Sequence, residues 1–393
     1  MRIDDGPVRP GSQSALRSAN QRRVVDLLKS MGEVTQARLA RETGLAPATV
    51  SNIVRELTES GVLDAADVGK RGRVLRFARS AGLVVGVDIG PRGVRVALAD
   101  MSHAILAQRR APLDPAAAPA AGLAVARRLL DGATAELGVA RQQVVGIGLG
   151  VPGPVDPRTG RVGRSAGLPG WVGAVAAEVG ATTFDGPVGV DDVTNLAALA
   201  EFRWGAGRGA RNVVQLTLGD RVGAGIILDG KLIRGRDGTA GEIGHSTVDE
   251  FGVLCRCGNR GCLETVAGAR AVAELLAPVH GPGLGTADVL RLVTAGDPAC
   301  VRALADAGRR IGAVVGGLCA ALNPDRILLG GELAAAGEVL TTPLRTAARR
   351  HGIPSSAMDL PIVPAALGGR AAVLGAVALA LDGPLPTMSA EVS

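Results

Sequence analysis

Tyrosine is missing from this chain of 393 residues, and four phenylalanines and two tryptophans supply its whole aromatic content of 2%. Stacking platforms for unpaired bases need rows of aromatic faces, so that mode of single-strand binding is excluded. Cysteine is scarce as well. There are 5, and three fall within eight positions, which makes a disulfide framework a poor reading. No stretch reaches the roughly 18 uninterrupted apolar residues of a membrane helix. The opening "MRIDDGPVRPGSQSALRSANQRR" is polar and lacks the apolar core of a signal peptide. The expected location is therefore the cytoplasm, with no membrane partner.

What is present is a hydrophobic fraction of 47%, in a chain long enough for two or three packed domains. Its charge is unevenly spread. Residues 1–80 hold 14 Lys and Arg against 9 Asp and Glu, whereas the whole chain has 43 against 37. A basic head on a near-neutral body suggests that the head meets a polyanion.

The head reads as a helix-turn-helix with a wing. Val24, Val25, Leu27, Leu28 and Met31 form a helical stripe that Gly32 ends. Thr35 suits the N-cap of a second helix, Gly44 a tight turn, and Pro47 the first turn of a third. In that third helix Val50, Ile53, Val54 and Leu57 face inward. Ala48, Thr49, Ser51, Asn52 and Arg55 are left outside, the small and hydrogen-bonding side chains that a recognition helix carries into a major groove. The stretch "GVLDAADVGKRGRVLRF" then reads as two strands around a basic tip, with Lys70, Arg71 and Arg73 available to phosphates or the minor groove. The expected divisions are a disordered tail over 1–18 and a winged helix-turn-helix over 19–80. Double-stranded DNA is the expected partner, with a dimer following from the two-fold logic of such motifs.

Beyond Ser80 the chain becomes rich in Gly, Ala and Val, and one pattern is written twice. "VVGVDIGPRGVRVALAD" (84–100) and "VVQLTLGDRVGAGIILD" (213–229) align without a gap, each reading as strand, Gly-containing turn, strand. Such an internal repeat implies two similar α/β half-domains. The expected lobes are 81–200 and 201–393, the last helix returning toward the first lobe. Gly turns facing a cleft make nucleotide or sugar binding plausible.

The clustered thiols belong to "CRCGNRGC", and His245 stands ten residues before Cys255. His245, Cys255, Cys257 and Cys262 offer three thiolates and an imidazole, the closed tetrahedral set that a structural zinc prefers. Four protein ligands leave no open position, so the metal would organise rather than catalyse. It would tie "GEIGH" to "GCLE" and bring Glu242 near Glu264, two carboxylates suited to accepting hydrogen bonds from a polyol.

With these pieces in place, the chain from Asn20 to about Leu381 resembles the ROK family of repressors, open reading frames and sugar kinases. The resemblance rests on "GEIGH…CRCGNRGCLE", "GVPGPVD", "LPGW" and "LNPDRILLGG". It implies a two-lobed, actin-like ATPase fold behind the winged head, dimers or tetramers, and sugar contacts at Glu242, His245, Glu264 and Asp192. It also locates a departure. When Asp191 to Glu201 is matched to the family's E-N-D-x-N-x-A-A-L-A-E segment, the general base of the kinases becomes Val193. An isopropyl group cannot accept a proton, and loss of a general base costs about 10²–10⁴ in rate. A match slid by one residue puts Asp192 there instead, at the cost of a gap.

The phosphate loops depart too. The first reads Asp88-Ile89-Gly90-Pro91-Arg92-Gly93, in which proline removes an N–H donor. The second is Gly219-Asp220-Arg221, which sets a carboxylate beside the phosphates. Gly330 and Gly331 on the adenosine side and Asp88 on the magnesium side are retained, while Gly167 replaces the family's Asn before "LPGW". The reading is a sugar-responsive transcriptional regulator, a repressor, with structural zinc and a degenerate kinase cleft in which neither ATP nor magnesium is expected to bind. An active ATP-dependent sugar kinase with a DNA-binding head is the alternative, and a constitutive DNA binder that has lost sugar sensing is a third.

Overall fold

The computed structural model describes residues 13–67, 73–91, 93–114, 116–163, 168–353 and 360–383. The head is built from helices α1 (Gln13–Met31), α2 (Gln36–Thr43) and α3 (Pro47–Glu59) and strands β1 (Glu33–Thr35), β2 (Leu63–Asp67) and β3 (Arg73–Phe77). The Thr35 hydroxyl accepts from the Arg38 N–H at 3.3 Å, satisfying a first-turn donor of α2, and Gly44 follows in the left-handed region at φ 68°. Val50, Ile53, Val54 and Leu57 of α3 are buried. Two features depart from the sequence reading. The tail expected to be disordered through residue 18 is helical from Gln13, where Arg17 pairs with Glu56 of α3 at 2.6 Å. The head also holds a third strand, β1, so its sheet runs β1-β3-β2 with both pairings antiparallel.

The body holds two sheets of the same design. The first contains β4 (Leu83–Gly90), β5 (Gly93–Asp100), β6 (Ile105–Ala111), β7 (Val144–Val151) and β8 (Val188–Asp192), in the order β6-β5-β4-β7-β8. The second contains β9 (Val213–Leu218), β10 (Val222–Leu228), β11 (Lys231–Ile233), β12 (Arg326–Gly330) and β13 (Ile362–Pro364), in the order β11-β10-β9-β12-β13. In both, three antiparallel strands are followed by two parallel ones. The repeat seen in the sequence is thus a repeat of topology. Strands such as β4 and β9 are almost continuously apolar because both of their faces are covered.

The helices of the body are α4 (Pro119–Leu137), α5 (Ala176–Phe184), α6 (Val193–Trp204), α7 (Glu264–Ala267), α8 (Ala269–His280), α9 (Thr286–Thr294), α10 (Pro298–Leu322), α11 (Glu338–His351) and α12 (Ala371–Asp382). Two of them, α6 and α12, are mostly buried, and α12 is apolar all round apart from Asp382, the composition of a helix enclosed by other elements. They pack on each other so closely that a Cβ at Gly375 would stand 1.8 Å from the Leu196 carbonyl oxygen. The α12 helix lies on β4 and β7, whereas α6 also touches β9 and β10. The division expected at residue 200 therefore falls inside a helix shared by both lobes.

The head does not hang on a linker. Val24, Val25 and Leu28 of α1 belong to one continuous buried cluster with Ala97, Ala99 and Met101 of the first lobe and Val377 and Leu381 of α12. Around this cluster the Lys29 ammonium donates to the Gly383 carbonyl at 2.5 Å, and Arg203 meets both carboxylate oxygens of Asp382 at 2.6 Å.

A metal-ligand quartet beside a carboxylate pocket

After strand β11 the chain makes a long excursion that carries Glu242, passes through a short turn at Ile243–His245 and returns at Glu264. Within it, the ligand atoms of His245, Cys255, Cys257 and Cys262 all lie within 4.8 Å of one another. Cys255 Sγ is 3.5 Å from His245 Nδ1, and Cys257 Sγ is 3.6 Å from Cys262 Sγ, too far for a disulfide bond. The Cys255 N–H bonds to the Asn259 carbonyl at 2.7 Å, and Gly258 and Gly261 take φ of 99° and 56°, which curls the chain around the sulfurs. This donor set fits a closed tetrahedral ion. His245 turns Nδ1 into the cluster and Nε2 toward Glu242 Oε2, which lies 3.8 Å away, beyond hydrogen-bond distance.

Glu242 is the outer edge of a pocket of carboxylates. Its pKa is pushed up to about 7, chiefly by burial and then by the negative charges of Asp192 and Glu264, against Arg221 and Arg256. Asp192 is buried at the N-terminus of α6, where Oδ1 accepts from the Thr194 N–H at 2.7 Å. Its Oδ2 is buried without a hydrogen-bond partner. Glu264 is buried too, with Oε2 accepting from the Val222 N–H at 3.2 Å and Oε1 paired with Arg256. The four residues expected to contact sugar are thus gathered in one place.

Three arginines complete the pocket, and the sequence reading missed them all. Arg234 Nε lies 2.7 Å from Asp191 Oδ2, Arg256 pairs with Glu264, and Arg221 lies 3.9 Å from Glu242. Each comes from a different loop, so spacing gives no signal for the pairs. Burial raises the pKa of Asp191, while Arg234 and Asn195 act against the rise. Val193, next to Asp192, is a half-buried first residue of α6.

Asp88 and Arg95 are direct cross-strand partners on β4 and β5, with Arg95 Nη1 3.4 Å from Asp88 Oδ2. Gly331 sits at φ 86°, and a Cβ there would lie 2.3 Å from the Leu218 carbonyl oxygen. The glycine pair therefore has a packing reason to be there. Arg92 and Gly167 lie outside the described residues.

On the head, Ala48, Ser51, Asn52 and Arg55 are exposed and Thr49 is half-buried, forming one outward face of α3. Lys70 and Arg71 lie outside the described residues, and Arg73 opens β3. No described helix is long and apolar enough to cross a membrane. A second convergence, of His280, Asp297 and Cys300, is accounted for by helix capping, with Asp297 Oδ1 accepting from the Cys300 N–H at 2.9 Å and standing 3.2 Å from His280.

Fold and site together define a two-lobed, actin-like α/β body joined to a winged helix-turn-helix. The family model described as "ROK family" matches residues 84–383, and a model described as a domain of unknown function (DUF7343) matches residues 17–76. The chain belongs to the ROK family. It is similar to a xylose repressor of Caldicellulosiruptor bescii, at 25% identity over 95% of this chain and 98% of the relative. A glucokinase of Halalkalibacterium halodurans is 32% identical over 74% of this chain and 92% of its own length. A solved ROK family transcriptional regulator, a homologue of the E. coli MLC protein, superposes with a TM-score of 0.79 at 26% identity, covering 95% of this chain and 98% of that one.

Proposed function

We propose that this protein is a cytoplasmic, sequence-specific DNA-binding regulator of carbohydrate metabolism, a repressor, released or retained by a sugar or sugar derivative. The effector sits among Asp192, Glu242, His245 and Glu264, and a structural zinc on His245, Cys255, Cys257 and Cys262 holds that wall of the pocket in shape. Three thiolates and an imidazole supply rigidity and no chemistry. Carboxylates kept in place by Arg221 and Arg256 accept from sugar hydroxyls without having to be ordered on binding. Operator DNA is read by Ala48, Thr49, Ser51, Asn52 and Arg55, with Lys70, Arg71 and Arg73 on the wing. The working form is a homodimer or a homotetramer.

One observation carries the regulator reading. A single helix, α6, begins at the pocket, where Asp192 caps it, and ends at the head, where the Trp204 indole N–H donates to His103 Nδ1 at 3.3 Å. His103 in turn bonds the Lys29 carbonyl of α1. A sugar that prefers one setting of α6 biases the seat of the head, and a shift of the DNA-bound fraction from 99% to 1% takes about 5.5 kcal/mol of differential affinity. The test is operator binding of the purified chain against a panel of monosaccharides and their amino and acidic derivatives. Loss of the response in Glu242→Ala, with DNA affinity retained, supports the assignment; a response that survives intact in that variant counts against the pocket.

The competing reading is ATP-dependent sugar phosphorylation. The likeness to a glucokinase and the free Oδ2 of Asp192 favour it. Val193 after the cap, Asp88 facing Arg95 and Pro91 in the first loop oppose it. The expected outcome of a coupled ADP-release assay is no turnover above background.

A further inference from the structure

Outside the pocket, the helical layer of the second lobe holds another group of side chains with metal-ligand chemistry. His280 ends α8, Asp297 caps α10 and Cys300 stands in the first turn of α10. One ligand atom from each lies within 4.8 Å of the other two. Helix capping sets up this convergence, yet the cap itself uses only Asp297 Oδ1 and the Cys300 backbone N–H. It needs neither the imidazole nor the buried thiol. Even so, His280 Nε2 stands 3.2 Å from Asp297 Oδ1 and 3.8 Å from Cys300 Sγ. Around a tetrahedral zinc, bonds of about 2.0–2.1 Å to N and O and about 2.3 Å to S set neighbouring N and O about 3.3 Å apart and neighbouring S and N about 3.6 Å apart. Two edges of such a tetrahedron are therefore already in place. The corresponding edge of the quartet, Cys255 Sγ to His245 Nδ1, is 3.5 Å.

We propose that His280, Asp297 and Cys300 form a second metal site, one that takes zinc or a similar divalent transition ion. A mixed set of nitrogen, oxygen and sulfur suits a borderline-soft cation and not magnesium or calcium. An ionised carboxylate has about four lone-pair positions, so Asp297 can cap α10 and ligate at the same time. Thiolate and carboxylate both sit at the start of a helix of 25 residues, whose dipole favours negative charge there. The His280 and Asp297 side chains keep 19% and 22% exposure, which leaves a route for the ion and a fourth position for water. This site is the weaker of the two. It has one thiolate where the quartet has three, and burial, then the neighbouring Asp297, pushes the Cys300 thiol up to about 11, so the ion must displace its proton. Once bound, the ion joins the two ends of residues 281–296 and pins α9 between α8 and α10.

The site is independent of the effector and of the operator. The experiment is metal analysis and cobalt(II) titration of the full-length protein and of its His280→Gln and Cys300→Ser variants, with melting temperature measured on each. In wild type equilibrated with micromolar free zinc, the expected content is about two ions per chain, one of which is lost on dialysis. In the cobalt titration, the second equivalent adds a thiolate-to-metal absorption band of its own. His280→Gln, at a partly exposed position, and Cys300→Ser each keep the tightly held ion, lose the exchangeable one and lose that second band. A wild type that saturates at about one ion per chain overturns the site. So does a second ion that binds without a thiolate band, or a second band that survives in both variants.

Discussion

His103 and Trp204 meet edge to face, with ring centroids 5.4 Å apart and planes at 68°, where the head sits on the body. The indole N–H donates to Nδ1, so the imidazole is neutral with its proton on Nε2, which donates to the Lys29 carbonyl. Burial holds the His103 pKa below its usual value, and nearby Arg203 acts in the same direction. Gly32 closes the same corner, and His103 itself takes φ 71° in the turn between β5 and β6.

This pairing gives the head a pH dependence of definite sign. The folded pKa lies below the unfolded value of about 6.5, so the unfolded or undocked state binds the proton more readily. The junction is at full strength above that value and weakens as pH falls through the lowered folded pKa. The protection factors of the α1 amides, with the intrinsic pH dependence of exchange divided out, are expected to fall between pH 7.5 and 5.5, while those of β9 and β12 stay flat. In Trp204→Phe, which keeps the packing but loses the N–H, DNA affinity is expected to stay within threefold of wild type and the effector response to fall.

Removing the metal should be severe and local at first. Chelation, or Cys257→Ser, takes away a ligand set that contributes folding free energy directly. The expected loss is more than ~4 kcal/mol of stability, with sugar binding abolished because Glu242 and Glu264 are no longer held together. Differential scanning calorimetry with metal analysis checks this. Unchanged melting after complete loss of zinc would contradict it.

Much of this was legible in the sequence, and the misses share a cause. Thr35, Gly44 and Pro47 announced the helix ends of the head because capping and turn chemistry are local. The convergence of His245 with the three cysteines showed because a closed ligand set would need specific side chains along one short loop. The repeat at 84–100 and 213–229 showed because two sheets of one topology need the same strand–turn–strand pattern. The three pocket arginines, the His103–Trp204–Lys29 chain and the shared helix α6 did not show, since each joins residues distant in sequence that carry no local motif. The head's third strand was too short, at three residues, to display an alternation of its own.

On the recognition face, Asn52→Ala is expected to cost about 1–3 kcal/mol of operator affinity and to relax preference at one base pair. Arg73→Ala is expected to weaken all sequences alike and to lower the salt slope by about 1. Competition binding at several salt concentrations separates the two. An Asn52 variant that loses affinity uniformly would mean that α3 lies against the backbone and not in the groove.

At pH 8, above the raised pKa of Glu242, Glu242→Gln keeps the shape of the pocket wall but removes an anionic acceptor. Effector affinity is expected to fall about tenfold or more, as a charge-assisted hydrogen bond becomes a neutral one. Calorimetric titration measures it, with DNA binding in the absence of effector as the control. Affinity equal to wild type would place the sugar elsewhere.

The most direct test of a recognition cleft without phosphotransfer is a fluorescence-anisotropy titration of operator DNA by the full-length protein, with MgATP and each carbohydrate of a panel present. The expected result is at least one sugar that moves the operator dissociation constant tenfold or more and is recovered unphosphorylated. Recovery of a sugar phosphate in enzymatic amounts, or operator affinity indifferent to every carbohydrate tried, would contradict it.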